Sequence, residues 1–308
     1  MPFVPAAPPT VLHVVGPIAA VTIDAQRRRV FAAGARSIAV LDADTGVLLA
    51  TIRLGGARSI AVEPLGGHVF AGTSDGRISE IDPDRKAIVR SASAGTTAID
   101  VLLYDAVSGR LYADGGGAPN IAVVDGRTLK RTGSVAFPGS RPGSMVPDPV
   151  TRDLYVSGST PEVSIVNVER GAVRMTFRTP GLLGNSIVRF DDALGQIAVA
   201  GANGVLAIYD RAGTERARIS IPQGIVACDL DTSSHVLACT GPLGLSFVQL
   251  KRDGAPATDG TAALSGLTFA AFDGKTHDVH ALRSNLDGTG TDFEIFHAVD
   301  GRDTHPIP

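Results

Sequence analysis

Four charged residues stand inside segments of the chain that are otherwise rich in apolar side chains: Arg58, Asp100, Arg189 and Asp229. An acidic residue recurs along the chain. Arg58 and Asp100 each precede one such acid by five positions, whereas Arg189 and Asp229 each precede one by two. A guanidinium group can hold a carboxylate or phosphate, and a carboxylate can transfer protons. Opposite charges at matching positions of neighbouring segments predict two ion pairs.

These ion pairs have two interpretations. One is mutual neutralisation of the charges around a water-filled channel, and the other is contact with a ligand. The predicted ligand-binding set consists of Arg58, Asp100, Arg141, Asn185, Arg189 and Asp229. Comparable positions elsewhere in the chain hold Ala, Ser, Ile or Val, so the packing of a core does not require these side chains. The preferred guest is a small anionic or mixed-charge group, because Arg supplies fixed donors for carboxylate or phosphate.

Catalysis in the same region is the alternative. Asp100, Asp114 or Glu162 would supply acid–base chemistry, and Arg58 or Arg189 would hold an anionic substrate. The loops expected to surround these residues contain neither His nor Cys, which disfavours acid–base chemistry by histidine. The enzyme alternative is therefore a lactone hydrolase or a lyase that uses carboxylate and Arg residues.

Histidines and one polar loop are the candidate metal ligands. Five of the seven histidines are His13, His277, His280, His297 and His305, and their spacing matches no short zinc or copper motif. His280 is expected to be a packed, hydrogen-bonded ring. Residues 285–292 loosely resemble a calcium loop, but Phe296 stands where an EF-hand has its bidentate Glu. The sequence predicts no metal and no cofactor, with metal binding by these two regions as an open alternative.

Composition excludes several classes of partner. Of the 308 residues, 44% are hydrophobic and 19% are charged, which is unlike a disordered chain. The net charge of −3 shows no excess of basic residues for nucleic acid or an anionic membrane. No apolar stretch is long enough to insert into a bilayer. The N-terminus lacks a secretory signal, so a cytoplasmic location is expected as written, with a periplasmic or secreted one if a signal was removed.

The recurring acid marks an internal repeat. It is found at Asp24, Glu63, Asp105, Asp148, Asp191, Asp231 and Asp273, at intervals of 39 to 43 residues. Each acid is followed by a short apolar segment and then by an alternating run such as Ile38–Asp42. Alternation with a period of two predicts strands, and repeats of about 40 to 45 residues are typical of propeller blades. The sequence therefore predicts an all-β fold, a seven-bladed β-propeller of four-stranded antiparallel blades.

The two ends of the chain are expected to close the ring. Little chain follows Asp300-Gly301, and it contains two prolines, so the last blade lacks an outer strand. The segment Val11–Val15 is expected to supply that strand. We expect one domain over residues 1–308, with a flexible arm at 1–9 and a tail at 303–308.

The repeats resemble those of the YVTN β-propeller family, which is WD40-like. The resemblance rests on residues 37–55, SIAVLDADTGVLLATIRLG, and residues 154–158, LYVSG, and it extends over nearly the whole chain. These motifs are turn and core residues, so they imply a fold rather than an activity. Proteins that resemble this pattern include exported binding proteins, lactonases, lyases and subunits of redox enzymes.

Two further predictions concern the cysteines and the function. If Ser233-Ser234 form a two-residue loop, Cys228 and Cys239 lie opposite each other across a hairpin, at a hydrogen-bonded pair with poor geometry for a disulfide, and we expect free buried thiols. The expected function is that of a monomeric, non-catalytic binding or interaction module. Its small anionic ligand or protein partner would bind at the top of the central channel.

Overall fold

The computed structural model describes residues 4–5, 10–12, 18–115, 118–137, 142–184, 186–221, 224–253, 256–262, 266–284 and 291–297. All regular secondary structure in these ranges is β-strand. Accordingly, this part of the chain contains no helix long and apolar enough to cross a membrane.

The strands are numbered β1 to β29 in chain order. They are Val4–Pro5, Thr10–Leu12, Ile18–Asp24, Arg29–Gly34, Ser37–Asp42, Leu48–Arg53, Ala57–Val62, Val69–Thr73, Arg77–Asp82, Ala87–Ser93, Leu102–Asp105, Arg110–Gly115, Ala118–Asp125, Arg131–Ala136, Pro142–Pro147, Asp153–Gly158, Glu162–Asn167, Ala172–Arg178, Ile187–Asp191, Gln196–Ala200, Val205–Asp210, Glu215–Ser220, Ala227–Asp231, Val236–Gly241, Gly244–Gln249, Ala257–Ala262, Leu267–Phe272, Val279–Ser284 and Thr291–His297.

Sequential antiparallel pairing groups these strands into seven sheets. Six sheets are the runs β3–β6, β7–β10, β11–β14, β15–β18, β19–β22 and β23–β26, and the seventh joins β27–β29 with β1 and β2. We number these sheets as blades one to seven. The first strand of each blade lies beside the first strand of the next, and β27 returns to β3. The predicted seven-bladed β-propeller is confirmed, with the first strands lining the central channel.

The core lies between the blades. The described residues form seven buried apolar clusters, one at each seam between neighbouring blades. In β4, Val30 and Ala32 pack toward blade seven, whereas Phe31 and Ala33 pack toward blade two. Because successive strand residues point to opposite faces, a strand buried on both faces is apolar throughout. This explains the short continuous apolar segments of the repeat.

The recurring acid closes the turn that follows each inner strand. Asp148 Oδ1 accepts the backbone N–H groups of Val150 and Thr151 at 2.9 and 3.2 Å. The corresponding acids Asp24, Glu63, Asp105, Asp191, Asp231 and Asp273 each accept a backbone N–H in the same way. The acid is therefore structural, since it satisfies turn donors. We call the face that carries these turns the lower face, and the face where the chain leads into each inner strand the upper face.

Side chains from one blade also reach the turn acid of the preceding blade. His235 Nδ1 lies 2.7 Å from Asp191, His277 Nδ1 lies 2.7 Å from Asp231, and Arg28 pairs with Asp273. All three residues precede the second strand of their blade, at positive φ. His277 thus takes part in a seam contact. In the described residues no cluster of His, Cys, Asp and Glu suits a metal ion.

His280 is buried, with its ring 5.4 Å from that of Phe293, which agrees with the expected packing. The expected hydrogen bond is not formed, because Nε2 lies 3.7 Å from Asp273 and neither ring nitrogen has a partner within hydrogen-bond distance among the described residues. The side chain of His297 and residues His13 and His305 lie outside the described part of the chain, as does most of the loop 285–292.

The N-terminus closes the ring through two short strands. Thr10–Leu12 pairs with Thr291–Phe293, and Val4–Pro5 pairs with Phe296–His297. The predicted donation of an outer strand to the last blade is confirmed, although its paired residues begin at Thr10 and the segment 13–15 lies outside the described residues. Val4–Pro5 lies within the segment 1–9 that the sequence predicts to be a flexible arm, and these two residues are paired with β29.

The prediction of two free thiols is wrong, because Cys228 and Cys239 form a disulfide. The two residues are paired across β23 and β24, as expected, but their Cα atoms are only 4.0 Å apart. That spacing is typical of a non-hydrogen-bonded pair, in which side chains lie closer. The turn contains four residues, 232–235, rather than the two that were assumed. This longer turn shifts the alternation of hydrogen-bonded pairs by one position.

Candidate functional site

Two connected cavities occupy the channel. The upper cavity has a volume of about 870 Å³ and is lined by the first four blades, including Arg58 and Asp100. The lower cavity has a volume of about 500 Å³ and is lined by the inner strands, including Arg189 and Asp229. Asp100 lines both cavities. The structure therefore separates the predicted site residues into an upper and a lower group.

The upper group is an ion pair between blades two and three. Arg58 contacts Asp100 Oδ1 through Nε, and the side chains of the two residues are 49% and 20% exposed. The predicted ion pair is confirmed. Arg58 contributes an exposed guanidinium to the cavity wall, because a contact through Nε leaves donors on its two terminal nitrogens.

A bulge directs Arg58 into the channel. Ala57 pairs with Thr73 and Ser59 pairs with Gly72, so Arg58 is an extra residue in β7. Ala19, Gly143 and Thr268 are extra residues at the same level of blades one, four and seven. A bulged residue has no partner in the neighbouring strand, so its side chain departs from the regular alternation between the two faces of the sheet. The sequence contains no direct signal for this bulge.

Asp114 supports the upper pair from beneath. It is completely buried, and its Oδ1 accepts the backbone N–H groups of Asp100 and Val101 at 2.7 and 3.0 Å. A carboxylate that holds two backbone donors fixes the position of the chain. This geometry gives Asp114 a positioning role rather than contact with a guest. Glu162, at the start of β17, is not in the described lining of either cavity.

The lower group is a brace across four blades. Arg189 lies 3.4 Å from Asp229, which confirms the second predicted ion pair. Arg189 also donates to Ser144 Oγ at 3.3 Å and to the Val188 carbonyl at 2.9 Å. Asp229 Oδ2 accepts the backbone N–H of Phe272 at 2.9 Å. Arg189 was expected at the upper mouth, but it lies below it. Its contacts tie blades four to seven together.

The remaining two predicted residues, Arg141 and Asn185, lie outside the described residues. The loops around the mouth that are described are joined by backbone hydrogen bonds. Gly56 N donates to Ala35 O at 2.8 Å, and Ser74 N donates to Gly56 O at 2.8 Å. Gly56 has a φ of 71°, a backbone conformation that is unfavourable for residues with a Cβ atom. These bonds fix the rim beside Arg58.

One charged group was missed by the sequence analysis. Glu80 is buried in the third strand of blade two, where it pairs with Arg90 and lies 2.9 Å from His68. A signal was present, because the corresponding position in the other six blades is apolar. The group borders a cavity of about 280 Å³ on the seam with blade three. Burial, followed by the charge of Glu63, raises the pKa of the neighbouring Tyr104.

Solved structures with the same architecture are numerous, although no protein-family model and no curated protein sequence matches the chain. One similar chain belongs to a crystal structure of a mitotic checkpoint complex, with a TM-score of 0.81 and 12% identity. That alignment covers 96% of this chain and 92% of the other. Another belongs to Kuenenia stuttgartiensis hydrazine synthase, with a TM-score of 0.76, 13% identity and coverages of 92% and 96%. At these identities the likeness shows the fold alone.

Proposed function

We propose that the protein is a non-catalytic binding or interaction module, and that a partner or small ligand places an anionic group against Arg58 at the upper mouth of the channel. The observation that carries this proposal is the half-exposed guanidinium of Arg58 on a bulge in the wall of the 870 Å³ cavity. Arginine is well suited to a carboxylate or phosphate, since its planar donors match both groups.

The fold does not need this arginine. At the same level the other bulged residues are Ala19, Gly143 and Thr268, which are small. An ion pair as exposed as that of Arg58 and Asp100 contributes about 0 to 1 kcal/mol to stability. A charge that stability does not require and that faces a cavity is a candidate for binding.

The seven-bladed propeller fold is compatible with an interaction role, since a chain of a mitotic checkpoint complex has the same fold. A propeller carries loops on a rigid scaffold, which is how binding surfaces are commonly built. Membership of the YVTN family stays a prediction.

The test compares Arg58→Ala with Arg85→Ala, an exposed arginine in a lower turn of the same blade. Binding of inorganic phosphate, succinate and N-acetylglutamate is measured by NMR titration, and the melting temperature of each variant is recorded. We expect the Arg58 variant to lose at least tenfold in affinity with an unchanged melting temperature, and the Arg85 variant to behave as the parent protein. Binding that survives in the Arg58 variant, or a parent protein that binds none of the three anions, would contradict the proposal.

A further inference from the structure

Seven residues at the level of Arg58 surround the upper mouth, one from each blade. They are Ala19, Arg58, Asp100, Gly143, Ser186, Val226 and Thr268, each five positions before its turn acid. We call them the mouth ring. Its charged members, Arg58 and Asp100, belong to blades two and three, whereas its large apolar member, Val226, belongs to blade six. The mouth is therefore charged on one side and apolar on the other.

An apolar pocket lies on the side of Val226. It has a volume of about 360 Å³ and is lined mainly by Ile18, Val226, Pro242, Leu267 and Phe269. Val226 is 51% exposed. Ile18 lines this pocket and the upper cavity, so the two spaces adjoin. A single guest can occupy both.

The apolar side continues along the rim. Leu183 and Leu243 are 64% and 60% exposed on loops of the upper face. Backbone hydrogen bonds hold these loops together, since Ala202 N donates to Leu183 O at 2.9 Å and Gly266 N donates to Pro242 O at 3.3 Å. Exposed apolar side chains on a fixed surface beside a pocket are typical of a protein-binding site.

Resting on the proposed function, we propose that the upper face binds an extended peptide segment of a protein partner, in which an Asp or Glu lies close in sequence to a large apolar residue. The carboxylate pairs with the terminal nitrogens of Arg58, and the apolar side chain enters the pocket beside Val226. Charge complementarity selects the acid, and removal of apolar surface from water favours the second residue. Two adjoining cavities and an apolar rim suit a chain with several anchors better than one small anion.

The test uses synthetic ten-residue peptides, acetylated and amidated, that carry one Glu and one Leu separated by zero to four Ser or Gly residues. Matched peptides replace Glu by Gln or Leu by Ser. Fluorescence anisotropy measures binding to the parent protein, to Arg58→Ala and to Val226→Gln. Val150→Gln, which changes another exposed valine, in a lower turn, is the control.

We expect at least one spacing to bind, with a loss of tenfold or more on either replacement in the peptide. Val226→Gln should lower the affinity for that peptide tenfold and leave the affinities for phosphate and succinate unchanged. Val150→Gln should change none of these affinities. If Val226→Gln lowers the melting temperature, Leu243→Gln provides the same comparison at a separate exposed site.

Three results would overturn the inference. If acid-only peptides bind as tightly as the acid–Leu peptides, the apolar contact does not contribute to binding, although the proposed function would still hold. Preferential binding of single-stranded nucleic acid over peptides would assign the face to another class of partner. Failure of every peptide to bind a protein that still binds succinate through Arg58 would limit the site to small anions.

Discussion

Reduction of the Cys228–Cys239 disulfide should lower the melting temperature of the protein by about 5 °C. The bond joins residues 11 apart in the sequence, so it closes a loop of 12 residues in the unfolded chain. Closing a loop of this size removes chain entropy worth about 3 kcal/mol at 25 °C. An unfolding entropy of about 2.1 cal/mol/K per residue over the chain converts that loss to about 5 °C.

Reduction changes the cross-link and leaves both side chains in the seam between blades five and six. The assay is therefore thermal unfolding of the parent protein with and without a phosphine reductant. The control is the double variant Cys228→Ala/Cys239→Ala, whose melting temperature should not respond to the reductant. The variant should melt below the reduced parent, because truncation of each buried side chain leaves a small cavity.

Two results would refute this reasoning. Thiol titration of the denatured, unreduced protein would find two free thiols if the bond did not form. A melting temperature that is the same with and without reductant would show that the cross-link does not restrict the unfolded chain. A disulfide in protein taken from its native cells would favour the periplasmic or secreted alternative over the cytoplasmic one, since such bonds persist in oxidising compartments.

Further predictions concern closure, acid stability and the lower brace. Deletion of residues 1–12 removes the strands paired with β29 and should destabilise the protein by several kcal/mol in chemical denaturation, about 1 kcal/mol per lost hydrogen bond plus lost burial. Burial raises the pKa of Asp273, but the nearby His280 ring, the hydrogen bond from the Lys275 backbone and the Arg28 ion pair outweigh this effect and hold that pKa well below its usual range. The contribution of the Asp273 carboxylate to the free energy of unfolding is complete above about pH 4 to 5, and it is lost as the pH falls through the lowered pKa of the folded protein. The melting temperature measured against pH should therefore be constant in mild acid and fall in stronger acid. Arg189→Ala leaves Asp229 without its cation in a partly buried site, and should cost about 1 to 2 kcal/mol, unlike Arg58→Ala.

Much of the site's framework was predictable because it depends on repetition. Aligning the acids Glu63 and Asp105 placed Arg58 opposite Asp100, and the ion pair followed from the equal depth of neighbouring blades. The same counting placed Arg189 opposite Asp229. It could not show how the two pairs differ in exposure and in their further contacts, because a position in a strand reveals neither.

The sequence by itself determined the seven blades, the order of their strands and the closure by the N-terminus, since alternation and turn residues are local signals that repeat. Only the tertiary structure decided the bulge that turns Arg58 into the channel, the burial of Asp114 beneath it and the pocket beside Val226. It also decided the disulfide, which depended on a turn of four residues rather than two. The bulge, the Asp114 contact and the disulfide depend on how neighbouring strands of one blade are paired, between residues 11 to 16 positions apart, and the pocket depends on residues from three different blades. The alternation of side chains along a single strand records neither.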